Sequence, residues 1–105
     1  MRQDNLPALR SYGDYSSGNY GAHCMRVDIP RSRKGKHGIS LYFSYDTLVA
    51  FRGDIGNGYR ELVVHTNDWS TTTGKHLNWI DGGEQDTRVK DKEFEKYYKI
   101  ALKNA

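Results

Sequence analysis

The sequence of 105 residues carries 16 Lys and Arg against 13 Asp and Glu, which gives a formal charge of +3 and a pI near 9.0. This length predicts one small domain over residues 1–105, since two cores would each fall near the lower limit of independent folding. The single cysteine excludes an intrachain disulfide, and no apolar run approaches the roughly 18–20 residues of a membrane helix. A soluble intracellular domain is predicted.

The first distinct segment is a stretch of Ser, Tyr, Gly, Asn and Asp at residues 11–21. Its tyrosines on a flexible backbone could stack on nucleic-acid bases, at about 1–3 kcal/mol per base. They could equally give a protein partner a large contact area at low entropic cost. An ordered loop with its tyrosines across a sheet explains the same composition. The candidate binding residues here are Tyr12, Tyr15 and Tyr20.

The strands come next. In residues 25–29, apolar side chains alternate with Arg26 and Asp28, the pattern of a strand that ends at Pro30. Further strands are predicted from similar patterns at 39–45, 48–51 and 59–66, with a tight connection at Asp46-Thr47 and a glycine-rich turn at 53–58. Such short connections favour an antiparallel sheet, because parallel pairs need longer crossovers.

A basic segment at residues 31–37 lies between two of these strands and contains no acid. Such a segment attracts a phosphate backbone, because each neutralised phosphate releases a condensed counterion. Its charges could instead protect a sheet edge against aggregation. The four candidate binding residues are Arg31, Arg33, Lys34 and Lys36.

Two helices are predicted after the sheet. The first begins at Ser70 or Thr71 and ends before Gly82-Gly83. The second covers about 91–103, with Asp91 as its N-cap. The predicted fold class is therefore α+β: a single domain in which an antiparallel sheet of about four strands has a short helix and a C-terminal helix packed on one face.

The segment 67–79 is rich in hydroxyl groups and contains Lys75, a further candidate binding residue. A phosphate loop is excluded, because Trp69 and His76 stand where the motif requires a glycine and a Ser or Thr. Two interpretations remain. The hydroxyls could offer a helix N-terminus to an anion, or they could cap a helix whose Trp69 and Trp79 pack into the core.

The four histidines give no zinc-ligand spacing, so neither a metal nor a cofactor is predicted. Cys24 follows His23 directly, and adjacent side chains of a strand point to opposite faces, so the two do not form a catalytic pair. One enzymatic alternative survives, a metal-independent ribonuclease. It would use His65 and His76 as general base and acid, with Lys75 stabilising the phosphorus-centred charge.

Three segments resemble a small uncharacterised domain family of phages and mobile elements, over about residues 12–100: Tyr20–His23, Leu41–Phe51 and Trp69–Asn78. This resemblance implies the cytoplasm of a bacterial host cell and supplies no catalytic residues. It implies a non-enzymatic binding protein that engages a nucleic-acid-handling host protein or nucleoprotein. An inhibitor of a CRISPR-like defence nuclease complex would be one example.

Two alternatives stay open at this point. One is direct DNA or RNA binding through residues 31–37 and the tyrosines of residues 12–20, and the other is the histidine nuclease. No membrane partner is predicted, and the sequence selects no oligomeric state.

Overall fold

The computed structural model describes residues 8–11, 24–30, 38–69 and 71–105. Their strands form one antiparallel sheet in chain order, with each strand beside its neighbours in sequence. The predicted α+β class, with an antiparallel sheet and two helices, is confirmed. The strands are β1 (Ala8–Ser11), β2 (Cys24–Ile29), β3 (Ile39–Ser44), β4 (Thr47–Asp54) and β5 (Arg60–Val64). Only β1 has no counterpart in the sequence prediction, because four residues are too few to show alternation.

The two described turns fix the register of the last three strands. Ser44 pairs with Thr47, so the β3–β4 turn is Tyr45-Asp46, one residue earlier than predicted, and Tyr45 has a φ of 57°. In the β4–β5 turn, Asp54 Oδ1 accepts backbone hydrogen bonds at 2.8–3.1 Å. Its donors are the N–H groups of Gly56, Asn57 and Gly58. This carboxylate therefore holds the predicted glycine-rich turn closed.

The helices are α1 (Thr71–Asp81) and α2 (Asp91–Asn104), with a short 3-10 turn at Gln85–Thr87 between them. Gly82 and Gly83 follow α1 with φ values of 66° and 85°, as the sequence predicts for its C-terminus. The predicted N-cap of α2 is wrong: Lys90 is the N-cap, and Asp91 is the first helical residue.

The two helices cover opposite faces of the sheet, so the expected packing on one face is wrong. Leu77 of α1 packs with one buried cluster of the sheet, comprising Cys24, Tyr42, Val49, Ala50 and Val64. Phe94 and Ala101 of α2 pack with another, comprising Ile39, Leu41, Phe51 and Val63. Because neighbouring residues of a strand point to opposite faces, pairs such as Leu41 and Tyr42 serve the two clusters separately. Adjacent apolar residues in β3, β4 and β5 are thus the sequence signature of a sheet covered on both sides.

The tryptophans of the hydroxyl-rich segment lie at the surface. Trp69 is 43% exposed and Trp79 is 50% exposed, so their expected packing in the core is wrong. The buried face of α1 consists instead of Thr73, His76 and Leu77. Trp79 lies outside this buried face of the helix.

Gly53 of β4 lies close against α2. A Cβ at this residue would lie 2.9 Å from the Ala101 Cβ and 3.4 Å from the Ile39 Cγ1. We expect Gly53→Ala to lower the free energy of unfolding by about 1–3 kcal/mol, the usual cost of overpacking. Urea unfolding measures this free energy. When Ala101→Gly has removed the clashing methyl group, adding Gly53→Ala should lower the free energy of unfolding much less than it does in the parent. An unchanged urea midpoint for Gly53→Ala would contradict the close approach.

Candidate functional site

The face of the sheet that α1 covers also carries a set of charged and polar side chains beside the apolar cluster. Asp28, Ser40 and Arg52 are directly in register on β2, β3 and β4. Arg26 pairs with Tyr42, whose side chain lies on this face. Arg60 is the first residue of β5, four residues before Val64, so the alternation of the strand places its side chain on the same face as that of Val64. We call this set the arginine face; its members are Arg26, Asp28, Ser40, Arg52 and Arg60.

A chain of hydrogen bonds crosses the arginine face. Asp28 Oδ1 accepts from Arg26 Nε at 2.7 Å and from Ser40 Oγ at 2.6 Å. Because the one hydroxyl proton of Ser40 goes to the carboxylate, its oxygen accepts from Arg60 Nη2 at 2.5 Å. Arg60 Nη2 also lies 3.5 Å from the carbonyl oxygen of Arg52. The Arg60 side chain thus reaches across β4 to β3 and is held in place by both strands.

Arg60 lacks a full set of partners. Among the buried side-chain nitrogen and oxygen atoms of the described residues, its Nε is the one with no hydrogen bond. Burial lowers the pKa of the Arg60 guanidinium, and the positive charges of Arg52 and Arg26 lower it further. An arginine nevertheless stays protonated at any physiological pH. A buried, charged donor without an acceptor is costly, and an anion beside the partly exposed Arg60 guanidinium would offset part of that cost.

The charge balance of the arginine face is positive. Among the described residues of this face, the guanidinium groups of Arg26, Arg52 and Arg60 outnumber the carboxylates of Asp28 and Asp54. The Asp28 carboxylate raises the pKa of Arg60 less than Arg52 or Arg26 lowers it. Asp54 stands opposite Arg60 in the register but directs its Oδ1 to the backbone of the β4–β5 turn. Arg26 is 27% exposed, and its guanidinium lies 5.3 Å from the centre of the Tyr42 ring. The face is therefore a partly solvent-accessible cationic surface with fixed donors.

Most of the binding residues predicted from sequence lie outside the described residues. The seven are Tyr12, Tyr15, Tyr20, Arg31, Arg33, Lys34 and Lys36. In the sequence, segment 31–37 follows β2, which carries Asp28, and precedes β3, which carries Ser40. Lys75 is described: it is exposed on α1 and lines a polar cleft.

The two histidines of the nuclease hypothesis do not come together. His76 of α1 is fully buried against the sheet, and its Nδ1 lies 2.7 Å from the Ser44 Oγ. His65 is also buried, but its ring contacts Phe94 of α2, with ring centres 5.1 Å apart. The two rings are thus on opposite sides of the sheet and cannot act on one substrate atom. Cys24 is fully buried in the apolar cluster.

His65 also belongs to a group of potential metal ligands. Its ring and the carboxylates of Asp68 and Asp91 offer three ligand atoms within 4.8 Å of one another. His65 Nε2 lies 2.5 Å from Asp91 Oδ1, and its Nδ1 lies 2.7 Å from the Thr66 carbonyl oxygen. Both ring nitrogens therefore face protein acceptors. These hydrogen bonds fasten the start of α2 to the end of β5, which explains the cluster as a structural tie.

Within the described residues, no helix has the length and apolar character needed to span a bilayer. Fold and site together define a small α+β domain with a cationic sheet face. The chain belongs to a family described as a Family of unknown function (DUF8033), whose model matches residues 9–96. No curated protein and no solved structure matches the chain significantly. The resemblance to an uncharacterised family is thus confirmed, and the phage setting stays a prediction.

Proposed function

We propose that this protein is a non-enzymatic nucleic-acid-binding domain that holds a phosphate backbone on its arginine face. The observation that carries this proposal is the Arg60 guanidinium, whose buried Nε has no acceptor and whose charge is crowded by Arg26 and Arg52. Arg60 is partly exposed, so a phosphate oxygen can approach its guanidinium from the solvent side and balance this excess of positive charge.

Phosphate suits the arginine face because of the guanidinium geometry. The planar fork of arginine offers parallel N–H donors that match two phosphate oxygens, and it is more weakly hydrated than a lysine ammonium. Ser40 and the Arg52 carbonyl fix the Arg60 side chain before any ligand arrives, so little rotamer entropy is lost on binding. Because phosphates carry no sequence information, we expect binding to be largely independent of base sequence.

The segments predicted from sequence extend this proposal. Segment 31–37 would add up to four cations at the end of the sheet where Asp28 and Ser40 lie. The tyrosines of residues 12–20 would supply stacking contacts to bases. The host target predicted from the family resemblance stays a separate prediction; a nucleoprotein target would be reached through the same cationic surface.

Salt dependence tests the proposal directly. Log K should fall linearly with log salt, with a slope of about −0.7 per neutralised phosphate on a single strand. Contacts by the three arginines alone predict a slope of about −2, and participation of the four cations in segment 31–37 raises it to about −5. Fluorescence anisotropy with labelled single-stranded DNA and RNA, between 50 and 200 mM salt, measures the slope. Absence of saturable binding at 50 mM salt would overturn the proposal.

A further inference from the structure

A polar cleft of about 650 Å³ lies beside α1, on residues of the segment that the arginine face does not use. Its volume is in the range of small-molecule sites. The described residues that line it include three carboxamides and two cations, with no acid: Asn67, Asn78, Gln85, Lys75 and Arg88. The cleft therefore favours a polar, anionic ligand.

A buried ion pair fixes one wall of the cleft. Arg88 Nε lies 2.7 Å from Asp81 Oδ2, and its Nη2 lies 3.0 Å from Asp81 Oδ1. The two side chains are only 5% and 4% exposed. Arg88 Nη2 also donates to Asn78 Oδ1 at 2.9 Å, which sets the orientation of that carboxamide. The Asn78 Nδ2, at the other end of the amide, is thereby presented as a donor.

The opposite wall is fixed in the same way. Asn67 Oδ1 accepts from the Trp69 backbone N–H at 3.1 Å, so the amide directs its Nδ2 elsewhere. That Nδ2 would lie 2.9 Å from a Cβ at position 74, so the amide occupies space that only a glycine leaves. The Asn78 carboxamide uses its oxygen within the protein and presents its nitrogen at the surface, and Lys75 adds a positive charge. The described lining therefore carries positive charge and an amide donor, which suits a ligand rich in acceptor oxygens.

We infer that this cleft binds a phosphate monoester of nucleotide size, with the phosphate at Lys75 and the Asn78 amide on an acceptor atom of the base or sugar. The inference does not depend on the arginine face. Arg60 begins β5 and Thr66 follows its end, six positions along an extended chain, so the two sites lie about 20 Å apart. Two sources of the ligand share this chemistry: a free nucleotide and the terminal phosphate of a strand.

Calorimetric titration of the full chain with adenosine and uridine 5′-monophosphates tests the inference. Asn78→Asp keeps the oxygen that accepts from Arg88 but replaces the donor with a negative oxygen, so we expect at least a tenfold loss of affinity. Lys75→Gln should cost about three- to tenfold. Lys92→Gln, which makes the same charge change on the exposed surface of α2, is the matched control and should change affinity less than twofold.

Oligonucleotides with a 5′-phosphate or a 5′-hydroxyl distinguish the two sources. A terminal phosphate as ligand predicts at least fivefold tighter binding of the phosphorylated strand, abolished by Asn78→Asp. A free nucleotide as ligand predicts no such preference and saturable binding of a monophosphate. Equal affinities of Asn78→Asp and the parent for every probe, or binding of none of them, would overturn the inference. Nucleotide binding that persists in Arg60→Gln would show that the cleft binds its ligand independently of the arginine face, so the two proposals can fail separately.

Discussion

Replacing Arg26, Arg52 and Arg60 together by glutamine is expected to weaken nucleic-acid binding at least about a hundredfold at 50 mM salt. Hydrogen bonds to a charged group are worth about 1.5–3 kcal/mol each, so the loss of two or three of them is enough. The slope of log K against log salt should flatten by about 2, because three fewer counterions are released. Anisotropy titrations of the parent and the variant measure both quantities.

The matched control changes the same amount of charge on the other side of the sheet. Lys92, Lys96 and Lys99 are exposed on α2, which covers the opposite face. Their joint replacement by glutamine should weaken binding less than fivefold. Equal losses in the two triple variants would mean that net charge alone drives binding, and the arginine face would lose its assigned role. Because Asp28 loses its cationic neighbours in the first variant, circular dichroism and a thermal melt must confirm its fold, and Arg60→Gln alone offers a milder version.

Arg88→Met is expected to destabilise the fold by about 3–5 kcal/mol, because it leaves the buried carboxylate of Asp81 without its cation. A chain of this size has about 5–15 kcal/mol in total, so the midpoint of thermal unfolding should fall by about 15 °C or more. Urea denaturation with linear extrapolation gives the free energy.

The companion variant separates a missing charge partner from lost packing. Asp81 Oδ1 also accepts from the Gly83 backbone N–H at 3.0 Å, and an amide oxygen preserves that bond. Asp81→Asn combined with Arg88→Met should therefore be clearly more stable than Arg88→Met alone. A loss below about 1 kcal/mol for Arg88→Met, or no recovery in the double variant, would contradict the account of this buried pair.

The fold was largely predictable because its signals are local. Alternation identifies β2 to β5, and the spacing of Phe94, Tyr97 or Tyr98 and Ala101 identifies α2. Which face of the sheet each helix covers was not predicted, because it depends on three-dimensional packing. The paired apolar residues Leu41-Tyr42 and Val63-Val64 contain that information, but an analysis of single alternating stripes overlooks it.

The arginine face was not predicted, because its members are far apart in the sequence. Arg26 and Arg60 are separated by two strands and meet on one surface only through the sheet register. The four cations clustered within residues 31–37 are the stronger signal in a sequence, and they led the prediction to that segment. A weaker signal existed: Arg26 and Asp28 occupy the polar positions of an otherwise apolar strand, where two charges on one face invite a partner.

The separation of the two histidines was not predicted for a related reason. His65 and His76 are close in the sequence, yet a strand end and a helix that covers the other face place their rings on opposite sides of the sheet. When a turn separates two residues, their closeness in the sequence does not tell whether their side chains reach the same face of the sheet.

The most direct measurement records the arginine side-chain Nε–Hε resonances by ¹H–¹⁵N NMR while a single-stranded oligonucleotide without terminal phosphates is added at 50 mM salt. Arg60, whose guanidinium receives the phosphate, should show a saturable shift together with Arg26 and Arg52, while Arg88, which Asp81 already engages, stays unmoved. Saturable binding that leaves the Arg60 Nε–Hε signal unchanged would contradict the assignment of this face as the phosphate-binding surface.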